Sequence, residues 1–223
     1  MLRDLRTGFL SVIVFTILLG LGYPLLVTGV SQGIFPGKAN GSLIKKNGVV
    51  VGSALIGEQF YEPLIGKNGK QEVVKGVAQT QPDPRYFQTR PSSTSDNDAS
   101  TAFSNLGPNG KTTLTAFQGY IETYLALNTA PDKKPYDPAV TSAAQIPVDA
   151  VDDSASSVDP NISVANARIQ AYRIAAVRHL VLSTVDGLVA SYTTGRSLGF
   201  LGEPGVNVLE LNLALDRLTG GTN

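Results

Sequence analysis

The residues that most invite chemistry are Gly110, Lys111 and Thr112, near the end of SNLGPNGKTT (104–113). A Gly-Lys-Thr run closes the phosphate-binding loop of many nucleotide hydrolases. There the backbone N–H groups surround a phosphate, the lysine reaches its oxygens and the hydroxyl holds a magnesium ion. That loop also needs a glycine five residues before the Gly of Gly-Lys-Thr, and a buried apolar strand ahead of it. Asn105 occupies the glycine position, and DASTAFS (98–104) is small and polar where the strand belongs. The reading that fits is a Gly/Pro/Asn turn running into a helix capped by a threonine hydroxyl.

Other reactive groups are few. The chain has no cysteine, which excludes disulfides, thiolate metal sites and thiol catalysis. Its one histidine, His179, lies in an apolar helical run and suits a helix surface or a helix end better than a Ser-His relay. Asp96 and Asp98 lack the glycine and terminal glutamate of a calcium loop and read as turn formers. Asp149, Asp152, Asp153 and Asp159 have no basic neighbour along the chain, so they read as a solvated loop. Gly199, Gly202 and Gly205 mimic a dinucleotide loop, but Pro204 falls among them and no strand leads in, so they read as turn punctuation. Lys plus Arg and Asp plus Glu both number 18, leaving no electrostatic footprint for nucleic acid. No catalytic residue, cofactor site or metal site is expected.

The elements that carry these residues begin with a membrane span. No charge occurs between Arg6 and Lys38, and Gly8–Gly29 (GFLSVIVFTILLGLGYPLLVTG) is almost continuously apolar. At about 1.5 Å per residue it is about 33 Å long, enough to cross the hydrocarbon core and longer than the apolar part of a cleaved signal peptide. The expected layout is a cytoplasmic N-terminus at 1–7, a span at 8–29 and an extracytoplasmic domain at 30–223, with Arg3 and Arg6 setting the orientation. Pro24 denies the Gly20 carbonyl its helical donor and predicts a kink, Tyr23 suits the interface, and Gly29 and Gly33 would admit a close neighbour helix.

Beyond the span, Lys45-Lys46-Asn47-Gly48 predicts a hairpin with strands near 42–45 and 49–56. Residues 61–84 read as a peripheral insertion with a second turn at Asn68-Gly69. Leu114, Phe117, Ile121 and Leu125 predict an amphipathic helix over about 113–128, followed by a Pro-rich, linker-like loop at 130–147. Ser163 is placed to cap a helix over about 164–180, with Asn166, Gln170 and Arg173 as its polar stripe. Ser183 and Asp186 form a capping-box variant for a helix that Gly195 would close, and Asn207 heads a last helix to about Leu218. The fold class expected is α+β: one N-terminal transmembrane helix, then a domain with a β-hairpin or small sheet and several helices.

The ordered segments YPLLVTG (23–29), NGSLI (40–44), VGSALIG (51–57), YFQTRPSS (86–93), SNLGP (104–108), VDPNIS (158–163) and LGFLGEPGVNVLELNLALD (198–216) closely resemble the C subunit of the Kdp potassium-transporting ATPase. The resemblance covers most of the chain and departs at 61–84 and 130–145. It implies a non-catalytic accessory subunit in the cell membrane, working with a channel-like potassium-binding subunit and a P-type ATPase subunit. ATP and K+ would then be handled by those partners, with lipid around the span. Consistent with that, Asp132-Lys133-Lys134-Pro135 is not the Asp-Lys-Thr-Gly phosphorylation site, and no Thr-Val-Gly-Tyr-Gly filter occurs. The family is described as a catalytic chaperone that raises the ATPase subunit's affinity for ATP. Tyr23, Pro24 and Gly29 in the span, Gly33 just past its end, and Arg90, Pro91, Asn105, Gly107 and Pro108 farther on are the candidate partner-packing residues for such a subunit. The alternative is a membrane-tethered extracytoplasmic binding protein or enzyme acting alone, a reading short of any nucleophile–base pair.

Overall fold

A computed structural model describes residues 1–94 and 100–218. Asp96 and Asp98 lie outside the described residues. The chain forms two compact units, Met1–Ser53 and the part from Ala54 onward.

The first unit is dominated by α1, Leu2–Ile34, a single helix of 33 residues with none of its apolar window buried. By length and composition it can cross a membrane. Its middle, Thr16–Gly22, is π-helical, and the Tyr23 N–H bonds back to the Leu18 carbonyl. Pro24 follows in the first turn of the next α-helical stretch. Having no N–H to offer Gly20, it breaks the ordinary ladder, and the wider turn just ahead carries the bonding across the gap. After a helical turn at Pro36–Ala39, β1 (Leu43–Lys46) and β2 (Val49–Ser53) pair antiparallel. Asn47 and Gly48 both have positive φ, 53° and 82°, as the tight hairpin turn requires. The second strand stops at Ser53 rather than 56 because the chain turns at Ala54 and Leu55.

In the second unit, residues 61–84 form nested hairpins. β3 (Tyr61–Pro63) pairs with β6 (Thr80–Pro82), and between them β4 (Val73–Val74) pairs with β5 (Val77–Ala78). Helix α2 spans Lys111–Leu127. Residues 130–147 contain one 3-10 turn, at Ala143–Gln145, and bury Val140 and Ile146 against Tyr124 of α2. A three-stranded antiparallel sheet follows in the order β7 (Asn161–Ser163), β9 (Gly205–Asn207), β8 (Thr193–Thr194). Against it pack α3 (Val164–Val177), α4 (Leu182–Ser191) and α5 (Val208–Leu218), with Ile162, Ile174, Val185, Val206, Leu211 and Leu215 at the centre of the core.

Ser163 caps α3 as expected, its Oγ accepting the Asn166 N–H at 3.0 Å, and Asn207 Oδ1 caps α5 through the Glu210 N–H at 3.0 Å. The capping box at Ser183 does not form. Helix α4 starts two residues earlier, at Leu182 behind Val181, so Ser183 already lies inside the first turn. Nor does Gly195 close that helix, which ends at Ser191 before Thr193–Thr194 joins the sheet. The largest correction concerns the polar stripe of α3: Asn166, Gln170 and Arg173 are all buried, at 0%, 1% and 0% exposure. Ala167, Ala171 and Ile174, beside them, are buried too, so the helix is enclosed on both sides.

Candidate functional site

The buried stripe exists because the segment 83–92 (DPRYFQTRPS) crosses the core with no strand beside its central residues. A buried backbone N–H or C=O without a partner costs about 1–3 kcal/mol, so side chains must supply the bonds. Asn212 of α5 does so for Phe87: its Oδ1 accepts the Phe87 N–H and its Nδ2 donates to the Phe87 carbonyl, both at 2.9 Å. Gln170 of α3 treats Gln88 the same way, accepting its N–H at 2.7 Å and donating to its carbonyl at 3.1 Å. Two carboxamides thus stand in for a neighbouring β-strand.

Arg173 completes the clamp. Nε donates to Pro84 O at 3.0 Å, Nη2 to Tyr86 O at 2.7 Å and Gln170 Oε1 at 3.1 Å, and Nη1 to Asn128 Oδ1 at 2.8 Å. Every one of these acceptors is neutral. Burial therefore disfavours the cation and pulls the guanidinium down to about 10. Nearby, burial pushes the Tyr124 phenol up, and its hydroxyl donates to Asn166 Oδ1 at 3.0 Å. Arg178 stacks over the Tyr86 ring at 4.6 Å, donates to Arg85 O at 2.8 Å and meets Asp216 at 3.1 Å.

Two clefts open beside this clamp, and Tyr120 lines both. One, of about 260 Å³, is bounded by Gln88, Arg90, Pro91, Tyr120 and Leu127. The other, of about 310 Å³, is bounded by Ser104, Leu106, Pro108, Phe117 and Asp153. Arg90, Pro91 and Pro108 of the sequence-derived set thus come to one neighbourhood. Ser157 ties the two loops together, accepting the Ser93 N–H at 2.9 Å and donating to the Ala102 carbonyl. Asn105, with φ 54°, and Gly107 are exposed within the loop that borders the second cleft. Tyr23, Pro24, Gly29 and Gly33 lie on α1, where a Cβ added at either glycine would meet nothing within 4 Å.

The acidic loop is not merely solvated. Arg90, distant in sequence, reaches Asp159 at 3.4 Å and Asp152 at 3.8 Å, while Asp149 accepts from the Ser163 N–H at 2.8 Å and from Asn166 Nδ2 at 3.0 Å. Asp153 accepts from the Ser93 hydroxyl. The Tyr120 phenol is held above its ordinary value, first by burial and then by Asp153 and Asp152. Among the described residues, Gln88 Oε1 and Arg90 Nε are the buried side-chain polar atoms without a hydrogen-bond partner. No group of three or more His, Cys, Asp or Glu among the described residues is arranged to hold a metal ion.

The Gly-Lys-Thr run opens α2. Gly110 is its N-cap with no side-chain bond, and Thr113 does not cap the helix: its hydroxyl donates to the Gly107 carbonyl at 2.5 Å, closing the loop instead. Sequence reasoning missed the clamp residues Gln170, Arg173 and Asn212. The available signal was a helix whose polar stripe lies beside an alanine-rich apolar one, leaving little surface for solvent.

The chain is similar to known proteins over almost its whole length. A family profile described as K+-transporting ATPase, c chain, matches residues 5–217. The potassium-transporting ATPase KdpC subunit of Methylococcus capsulatus is 42% identical over 221 residues, covering 98% of this chain and all of the relative. The KdpC subunits of Mycobacterium bovis, at 40% over 220 residues (98% of this chain, 100% of the relative), and Bradyrhizobium diazoefficiens, at 42% over 217 (97% and 98%), are similar too.

Proposed function

Because the chain belongs to the family of K+-transporting ATPase c chains, we propose that it is a non-catalytic subunit that assembles and stabilises a potassium-transporting ATPase complex. Helix α1 anchors it in the cell membrane with the N-terminus in the cytoplasm and the second unit outside. Its partners are a channel-like potassium-binding subunit and a P-type ATPase subunit, which handle K+ and ATP; the chain itself binds neither, no metal and no nucleic acid. The observation that carries this reading is the use of the polar side chains. Arg173, Gln170, Asn212 and Asp149 are engaged in holding segment 83–92 and the start of α3, which suits a rigid docking body rather than a reaction centre.

A higher ATP affinity in the ATPase subunit then follows without contact at the nucleotide. If the rigid body binds one state of the complex better than another, the difference is a coupling free energy that the nucleotide site senses. Gly29 and Gly33, one turn apart on α1, face a partner helix, where small residues permit close approach, and Tyr23 and Pro24 pack on partner subunits from other sides of the same helix.

The test uses the native lack of cysteine. Single cysteines replace Asp4 and Asn105, and intact cells are treated with a membrane-impermeant thiol reagent. Labelling at 105 alone is expected. Labelling at 4 alone would overturn the outer placement and make direct contact with the ATPase subunit the better account.

A further inference from the structure

The connection between β8 and β9 carries the most conspicuous apolar exposure in the second unit. Leu198, Phe200 and Leu201 are 83%, 69% and 50% exposed at its tip. The tip is firmly built: Ser197 and Leu201 exchange N–H···O bonds of 2.8 and 2.9 Å, and Arg196 Nη2 meets both Glu203 oxygens at 2.7 Å. Below it, Thr194 pairs with Gly205, and Val206 and Val208 are fully buried. Leu198 has φ 54°, followed by Gly199 at 82°. That pair of angles is the one an Asn-Gly turn adopts, and a leucine there is sterically costly. Solvent exposure of the same side chain adds nothing to the fold. A strained, exposed, rigidly mounted leucine thus points to a use outside this chain.

We infer that the Leu198–Phe200–Leu201 tip is a knob that seats in an apolar pocket on a partner subunit of the complex. The inference rests on the subunit reading above. The alternatives fit less well. The three side chains present on the order of 400 Å², against roughly 800 Å² per partner in a stable dimer, so the tip alone would not hold two copies of this chain together. A lipid anchor recruits basic residues, yet residues 192–206 contain only Arg196, already paired with Glu203. A knob of this size does suffice where a membrane anchor already keeps the two surfaces together at high effective concentration. Its rigidity lowers the ordering cost of docking.

Leu198→Asn is the informative variant, because asparagine suits the left-handed position while removing the apolar group. Full-length chain carrying Leu198→Asn and Phe200→Ser is co-expressed with the partner subunits and recovered in detergent through a tag on this chain. The expected result is an unchanged or higher melting temperature of the chain, with about tenfold less partner retained. Retention equal to wild type would overturn the knob. Benzoylphenylalanine in place of Phe200, photolysed in the assembled complex, is expected to mark a peptide of a partner subunit. Adducts to lipid alone, to a second copy of this chain, or none at all from an intact complex would each overturn it. Failure of the wild-type chain to co-purify with any partner would sink the subunit reading first, and this inference with it.

Discussion

Replacing Arg173 by methionine tests whether the clamp is what holds segment 83–92 in place. Methionine is apolar and of similar reach, so the cavity contribution stays small and the hydrogen bonds dominate. Pro84 O and Asn128 Oδ1 lose the donors shown for them, and Tyr86 O keeps only Gln88 Nε2 at 3.4 Å. At about 1–3 kcal/mol for each of the two orphaned buried acceptors, the loss is about 2–6 kcal/mol. Against it stands relief from burying an unpaired guanidinium, worth several kcal/mol. The bonds are short and fork-shaped, which favours the arginine, and the net expectation is a loss of about 3 kcal/mol. For a unit of this size each kcal/mol moves the melting temperature by about 2–4 °C, so the shift is about 6–12 °C downward. Far-ultraviolet circular dichroism of the full chain in detergent reads it. Arg173→Lys, which keeps the charge but not the fork, should fall nearly as far. A methionine variant melting within about 2 °C of wild type, or above it, would refute the reasoning, because the buried charge would then cost as much as its bonds contribute.

Two further outcomes follow from packing and titration. A Cβ on Gly57 would lie 2.4 Å from Asp159 O and 2.9 Å from its carbonyl carbon, both backbone atoms, so Gly57→Ala should cost about 1–3 kcal/mol or more in the same melt. Gly66→Ala, whose Cβ would meet only side-chain atoms of Glu72 and Asn68, is the control and should be tolerated; equal effects would discredit the clash argument. Burial holds the phenols of Tyr124, Tyr120 and Tyr86 above their ordinary value of 10.0. Above pH 10 the folded chain therefore keeps protons the unfolded chain has lost, and stability falls with rising pH. Arg173, lowered by burial to about 10, acts in the opposite sense above that value, since the unfolded chain holds the extra proton. Three phenols outweigh one guanidinium, so net loss above pH 10 is expected. With eight tyrosines and no tryptophan, near-ultraviolet absorbance follows phenol ionisation cleanly; native and denatured titrations that superpose would remove the burial claim.

What the sequence made legible was local. The Asn47-Gly48 turn, the amphipathic run from Leu114 to Leu125, and the caps at Ser163 and Asn207 each depend on a few neighbouring residues, and each has the expected counterpart in the structure. What it hid was pairing at a distance. Asn212 serves a residue 125 positions away and Gln170 one 82 positions away, and no periodicity says whether a polar stripe faces water or another segment. The acidic loop looks solvated along the chain for the same reason, since Arg90 lies 69 positions from Asp159. The box at Ser183 failed because a box motif does not fix the helix start, which Val181 takes.

The same distances explain why separate motifs add up to one family signature. Gly57, in VGSALIG, donates to Val158 O at 2.7 Å, in VDPNIS. Asp159 of that motif faces Arg90 of YFQTRPSS, whose Phe87 is held by Asn212 of LNLALD, while Asn207 reaches back to Ala54 O at 2.9 Å. Four segments spread over the chain are thus mutually dependent, and a change in one orphans a polar group in another. Residues committed inward in this way are poor candidates for recognising a partner, however specific their pattern. The groups left to do so are those with no role in the network. In the second unit that description fits the apolar tip at Leu198, Phe200 and Leu201 better than it fits Arg90, whose guanidinium already faces two carboxylates. Substitutions at Arg90 should therefore lower the chain's own melting temperature before they affect assembly, and substitutions at the tip should do the reverse.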